Sequence, residues 1–314
     1  MNCFRIFSVF LLFTQLSSAE TFEFAVSGDS GVTSRENFEL KESIIKEGVN
    51  RMILAGDNNY SGQPYPNIWD HWTQSGVNFD VVAIGNHNRS YAEEVDYFHM
   101  PAEYYSMEFG KHIRFIVLNS DNERTANEQT QWFNDQMEKT TEKFVFVVYH
   151  HPTYSTSNHH HWWEKEDFQT QMRLSLKKYR NKITALFVGH DHMVSFHEVG
   201  TLPMIVSGGG TKARSASAYE YQAGDGTEVK TDWLFNGART WVKLTVDDTN
   251  DTALVDALTV SENNVRCTLK LKTGVKPVVS QNCKDTFHMG KPGEPASCYR
   301  VRRGRGWGKR CPGK

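Results

Sequence analysis

Residues 143–149 read KFVFVVY. Behind the lysine every side chain is β-branched or aromatic, so the run has no wet face to alternate with a dry one. It is expected as a strand buried on both sides. A strand of that kind needs cover above and below, which ties the chain to an α/β arrangement. The flanking sequence supplies the cover. TFEFAVS (21–27), RMILA (51–55) and FDVVAI (79–84) read as strands, and RENFELKESIIKEG (35–48) as a helix closed by Gly48. Two runs within 104–119 read as a hairpin, NEQTQWFNDQMEK (127–139) as an amphipathic helix, and a helix near 164–180 leads to the strand ITALFV (183–188). The runs 203–207, 240–246, 252–260 and 265–272 follow as strands without helices. Together these predict two packed sheets with helices outside, a four-layer α/β/β/α sandwich over residues 20–272. From 273 to 314 Gly, Pro, Cys and basic residues dominate, so that part reads as a loop-rich extension.

The first nineteen residues stand apart. Arg5, the apolar IFSVFLLF (6–13) and the small residues SSA (17–19) make a signal peptide. The run is too short for a membrane span, although an N-terminal anchor is the competing reading. The expected location is secreted or lumenal. Cys3 leaves with the signal, and Cys267, Cys283, Cys298 and Cys311 remain. In an oxidising compartment they are expected to form two disulfides, with neighbours paired among three connectivities; a zinc site is the alternative, unsupported by any C-x-x-C spacing. The formal charge is −2, but the segment 299–314 carries seven positive residues and no acid. Removing those seven and Arg5 leaves 20–298 at −10. A basic tail on an acidic body reads either as a solvated, disulfide-pinned terminus or as a polyanion-binding segment.

Five apolar strands end in polar signatures. SGDSG offers Asp29, GDNNY offers Asp57 and Tyr60, GNHN offers Asn86 and His87, YHHP offers His150 and His151, and GHDH offers His190 and His192. Sites form at the carboxyl ends of strands in α/β sheets. Two carboxylates, an amide and several imidazoles gathered there suit two hard-to-borderline metal ions. Each motif alone is an ordinary turn; five in order are not.

These motifs resemble those of the calcineurin-like metallophosphoesterases, and within them the purple acid phosphatases, over roughly residues 22–272. The size is similar to that of the small, tartrate-resistant form. Most of that superfamily place a histidine two residues after the first aspartate. Here Gly31 stands there and Tyr60 appears instead, an exchange of imidazole for phenolate. The resemblance implies that Asp29, Asp57, Tyr60 and His192 hold Fe(III). Asp57 bridges, and Asn86, His150 and His190 complete a site for Fe(II), Zn(II) or Mn(II). A phenol with a pKa near 10 ionises at acid pH only on a strong Lewis acid. The implied reaction is hydrolysis of a phosphate monoester by in-line attack of a metal-activated hydroxide. The substrate is a small phosphorylated molecule or a phosphoprotein.

By the same resemblance Asn86, His87 and His159 face substrate, with His87 the phosphate contact or general acid and His159 a second histidine of that kind. His160 and His161 read as exposed loop residues, and Trp162 and Trp163 as pocket wall or helix start. Asn88 stands where the family usually has an acid, which removes a charge from beside His87. The sequons at Asn59 and Asn88 fall in the site, leaving Asn250 as the glycosylation candidate. SGGGTKAR (207–214) reads as a tight passage beside the metals, with 211–236 lining the pocket. Two rival readings keep the sequence but change the outcome: a phosphodiesterase or nucleotidase on the same fold, and a polyanion-binding protein with a degenerate phosphatase body.

Overall fold

A computed structural model describes residues 20–154, 165–214, 220–223, 225–283, 299–303 and 306–310. The signal segment, His159 with its neighbours through Trp163, Cys298 and Cys311 lie outside the described residues.

Two sheets stack face to face. The first runs β15-β14-β13-β12-β1-β2-β3, from strands β1 (Thr21–Ser27), β2 (Arg51–Ala55), β3 (Asn78–Ala83), β12 (Thr240–Asp247), β13 (Thr252–Thr259), β14 (Val265–Lys272) and β15 (Val275–Val279). The second runs β10-β11-β8-β9-β7-β6-β5-β4, from β4 (Tyr105–Phe109), β5 (Ile113–Val117), β6 (Phe144–Val148), β7 (Ala185–Val188), β8 (Val194–Val199), β9 (Leu202–Ser207), β10 (Glu220–Gln222) and β11 (Glu228–Phe235). A separate two-stranded ribbon pairs β16 (Tyr299–Arg303) with β17 (Gly306–Arg310). The helices are α1 (Arg35–Lys46), α2 (Tyr65–Thr73), α3 (Tyr91–Tyr97), α4 (Ala126–Lys139) and α5 (Glu166–Tyr179).

The sheets meet through aromatic rings. Phe24 of β1 packs edge-on against Phe115 of β5 at 5.3 Å, and Phe115 stacks on Phe146 of β6. Phe133 and Met137 of α4, with Phe168, Met172 and Leu176 of α5, close a second apolar layer over Ile116, Val145, Val147 and Leu186. All five residues of β6 are buried, as an all-apolar central strand requires. The mixed four-layer architecture is the one expected from the alternation of periods.

The pairing explains the position of the site. β1, β2 and β3 are parallel, as are β5, β6, β7 and β9, so several carboxyl ends emerge together. At that edge the sheets are sewn to each other. Gly28 N–H donates to the Ser207 carbonyl at 2.6 Å, and Ser207 Oγ donates to the Val26 carbonyl at 2.8 Å.

Two parts of the sequence reading are corrected. Residues 228–235, placed in a pocket wall, form β11, which pairs antiparallel with β8 and buries Val229, Thr231, Trp233, Leu234 and Phe235. The first sheet also continues past residue 272 into β15; beyond that strand Cys283 bonds Cys267 of β14, the neighbour pairing expected.

Candidate metal centre

Asp29 follows β1, and Asp57 follows β2. Both adopt left-handed backbone, with φ of 56° and 58°, and His190 after β7 does the same at 68°. Asp and His enter this region more readily than most L-residues, and His99, Asp251 and Asn263 do so in turns and connections elsewhere; at the strand ends the conformation is held by specific partners. Here the surroundings are visible. Asp29 N–H donates to the Gly56 carbonyl at 2.9 Å, and its Oδ2 accepts from the His190 N–H at 2.7 Å. Asp57 Oδ1 accepts from the His87 N–H at 2.8 Å.

Tyr60 closes the first group. Its hydroxyl lies 2.7 Å from Asp57 Oδ2, 2.8 Å from Asp29 Oδ1 and 3.0 Å from His192 Nε2. Gly31 makes the approach possible. A Cβ there would stand 2.0 Å from the Asn58 carbonyl carbon and 2.3 Å from Asn59 N. The backbone of 58–59 occupies the space a side chain at 31 would need, and Tyr60 N–H donates to the Gly31 carbonyl at 2.7 Å. Absence of a side chain at 31 and presence of the phenol at 60 are one packing event.

The second group shares Asp57. His150 Nε2 is 3.1 Å from Asp57 Oδ1 and 3.2 Å from His190 Nδ1. His150 Nδ1 faces the Ala55 carbonyl at 2.8 Å. A carbonyl only accepts, so Nδ1 carries a proton, and Nε2 is the nitrogen turned to Asp57, the one that would give up its proton to bind a cation. Donor atoms of Asp29, Asp57 and His150 lie within 4.8 Å of one another, and so do those of His150, His151 and His190.

The electrostatics fit cations. Burial opposes ionisation of Asp57, yet the His150 imidazole beside it holds the carboxyl well below its usual range. Burial alone would lower His150; Asp57 and then Asp29 raise it to about 9. Burial first, then the charges of Asp29 and Asp57, drive the Tyr60 phenol far above its ordinary value. A phenolate between two buried carboxylates is strongly unfavourable unless a multivalent cation sits among them. The donor set therefore matches a metal ion in chemistry as well as in distance.

Asn86 and His87 stand at the exposed rim after β3. The His87 ring lies 4.2 Å from that of Tyr60. The amide of Asn88 turns inward and donates to the Gly85 carbonyl at 2.7 Å. The passage 207–214 does abut the centre: a Cβ on Gly208 would lie 2.5 Å from Asp29 Oδ2, and Thr211 Oγ1 donates to the Asp29 carbonyl. Asn59 is buried with its amide on the Gln63 carbonyl, whereas Asn250 sits in an exposed turn.

Sequence reasoning named His151 without giving it a role and passed over Ser120 and Glu94. His151 is buried, with its ring 4.4 Å from His190 and its Nδ1 2.9 Å from Ser120 Oγ. The doubled histidine of YHHP was its signal. Ser120 lies in the bend three residues beyond β5, and nothing in its local sequence marks it. Glu94 lies wholly buried behind the Asp57 loop.

A profile of calcineurin-like phosphoesterases matches residues 22–194. No curated protein matches the sequence. Among solved structures, GAP50, described as the anchor in the inner membrane complex of Plasmodium, superposes with a TM-score of 0.64 at 16% identity, covering 81% of this chain and 89% of that one. PhoD gives 0.57 at 12% identity, covering 87% and 73%. A dimetal phosphatase from Danio rerio gives 0.54 at 12% identity, covering 80% and 99%. At these identities the likeness is one of fold.

Proposed function

Because the chain belongs to the calcineurin-like phosphoesterase family, we propose that it is a binuclear phosphomonoesterase of the purple acid phosphatase type. The carrying observation is the Tyr60 hydroxyl within 3.0 Å of Asp57, Asp29 and His192, over a Gly31 with no room for a side chain. One phenolate, two carboxylates and one imidazole form a hard donor set, suited to Fe(III). Asp57, shared, with Asn86, His150 and His190 would hold Fe(II), Zn(II) or Mn(II). Such a pair of ions, when bound, supplies Lewis-acid stabilisation of the phosphoryl oxygens and lowers the pKa of water.

The remaining work falls to the chain's own side chains. His150 is presented in one tautomer by the Ala55 carbonyl. His87, exposed and laid against Tyr60, is free to meet a phosphoryl or leaving-group oxygen. We assign it the proton delivered to the leaving group, with His159 as a second histidine on the substrate. Asn88 is occupied by the Gly85 carbonyl and gives His87 no charge. Aryl phosphates, whose leaving groups need little protonation, are then the better substrates.

The physiological substrate is assigned to small phosphorylated molecules or phosphoproteins. We further propose that the chain acts outside the cytosol after loss of residues 1–19 and that Asn250 is its glycosylation site where the host glycosylates; the basic segment 299–314 is read first as a solvated terminus, with polyanion binding as the second reading. A direct test compares an aryl phosphate monoester with a bis-aryl diester at acid pH, for the full chain and for His150→Ala. The monoester is expected to be cleaved in preference, and the variant to lose activity. Faster diester cleavage would favour the phosphodiesterase reading, and activity that survives dialysis against a chelator would overturn the metal mechanism.

A further inference from the structure

Glu94 is fully buried on α3, the helix capped by Ser90. A carboxyl is rarely placed there, because removing it from water costs several kcal/mol unless it is paired; leucine would fill similar space at no such cost. Its two oxygens are nevertheless used. Oε1 accepts from Asn58 Nδ2 at 2.6 Å and Oε2 accepts from the Tyr65 hydroxyl at 3.0 Å. Burial pushes the carboxyl up to about 8, with the Asp57 charge adding to the rise and the Asn58 and Tyr65 hydrogen bonds opposing it.

Asn58 is the residue next to Asp57; its amide nitrogen and its backbone carbonyl are both held, while its amide oxygen is buried without a partner among the described residues. Its amide also donates to the Ala83 carbonyl at the end of β3, at 2.9 Å. Its own carbonyl accepts from Trp69 Nε1 of α2 at 2.9 Å, and its carbonyl carbon rests on Gly31. On one side of Asn58 is Asp57 at a φ of 58°; two residues on is Tyr60, whose hydroxyl reaches both carboxylates. A strained residue keeps such a conformation only when its neighbours are fixed. Glu94 is the acceptor that ties this loop to α3.

We propose that Glu94 is a positioning residue for the metal centre, acting through Asn58 to hold Asp57 and Tyr60 in register with Asp29 and His192. The proposal rests on the metal-centre reading above. It predicts that removing the acceptor loosens metal binding even when the fold survives, because partners behind metal ligands typically control about 10- to 100-fold in affinity.

The test is competitive Zn(II) titration of the metal-stripped full chain against a chelating dye, with thermal unfolding alongside. Glu94→Gln keeps an acceptor for Asn58, and its Zn(II) affinity should stay within about threefold of the original. Glu94→Leu fills the volume without an acceptor and should lose about 10- to 100-fold. Asn58→Ala approaches from the other side and should lose a comparable amount. The double variant should be no weaker than the worse single variant, the signature of two residues acting in series. Zn(II) affinity unchanged in Asn58→Ala, or in a folded Glu94→Leu, would overturn the proposal, as would additive losses in the double variant. If Glu94→Leu does not fold, the Glu94→Gln and Asn58→Ala pair still decides: equal tenfold losses in both would refute the acceptor role. An original chain that binds no Zn(II) would overturn the metal-centre reading itself, and this proposal with it.

Discussion

His197 is expected to make this fold lose stability as pH falls. The imidazole is buried in β8, with Nε2 2.6 Å from Ser195 Oγ and Nδ1 3.2 Å from Thr231 Oγ1. Among the described residues no carboxylate is bonded to it, and burial drives it from 6.5 down to about 3. The sign follows from linkage. The unfolded chain takes up the proton as pH falls through the unfolded value, while the folded chain does not until near the depressed value. Stability from this group is therefore complete above about 6.5 and falls progressively below it. Each pH unit in that window removes about 1.4 kcal/mol, so moving from about pH 7.5 to about pH 4.5 removes roughly 2–3 kcal/mol. The assay is urea unfolding at several pH values for the original chain and for His197→Asn, which cannot titrate. The variant loses a pH-independent amount from altered packing, but its stability curve should be flatter across the window by that 2–3 kcal/mol. Parallel curves would refute the reasoning and place the acid sensitivity elsewhere.

Two further outcomes follow from the packing. Replacing Cys267 and Cys283 together by alanine opens a loop of sequence separation 16 and should destabilise the protein by about 3 kcal/mol, read as a lowered urea midpoint. Gly31→Ala drives a Cβ into the backbone at Asn58 and should cost at least about 1–3 kcal/mol, together with loss of Tyr60 from the centre, measured by unfolding and by metal content. An unchanged metal content in Gly31→Ala would separate the glycine from the tyrosine and remove the packing link between them.

The legible parts of the fold were those whose side chains announce their surroundings. The apolar β6 and the amphipathic α4 sit within a residue or two of their expected bounds, because burial of both faces or of one stripe dictates composition directly. What escaped is instructive. β8 and β11 carry His197, Glu198, Lys230 and Asp232 within their runs, and the period-2 pattern is blurred by a bulge between Thr231 and Trp233. α2 begins after Pro64 and contains Pro66, which reads locally as a turn, although Trp69 and Trp72 are wholly buried. α3 had a visible start, Ser90 with Glu93 three residues on, hidden beside the more conspicuous GNHN.

The site divides in the same way. Asp29, Asp57, Tyr60, His150, His190 and His192 were nameable because each follows an apolar strand, and the structure gathers all six. Glu94 was not nameable. Its YAEEVDY context is that of any surface helix, and only the folded chain reveals that one of the two adjacent glutamates points inward. Its role depends on a distance to Asn58 across 36 residues, which no local pattern carries.

The central claim is that Tyr60 is a phenolate ligand of Fe(III), and it is tested most directly by the visible spectrum and metal content of the purified, oxidised full chain beside Tyr60→Phe. Iron and a second metal in comparable amounts are expected in the original chain, with a violet phenolate-to-iron charge-transfer band. Tyr60→Phe should lose the band while unfolding as a cooperative unit. A colourless original chain that is fully active with zinc alone would contradict the assignment.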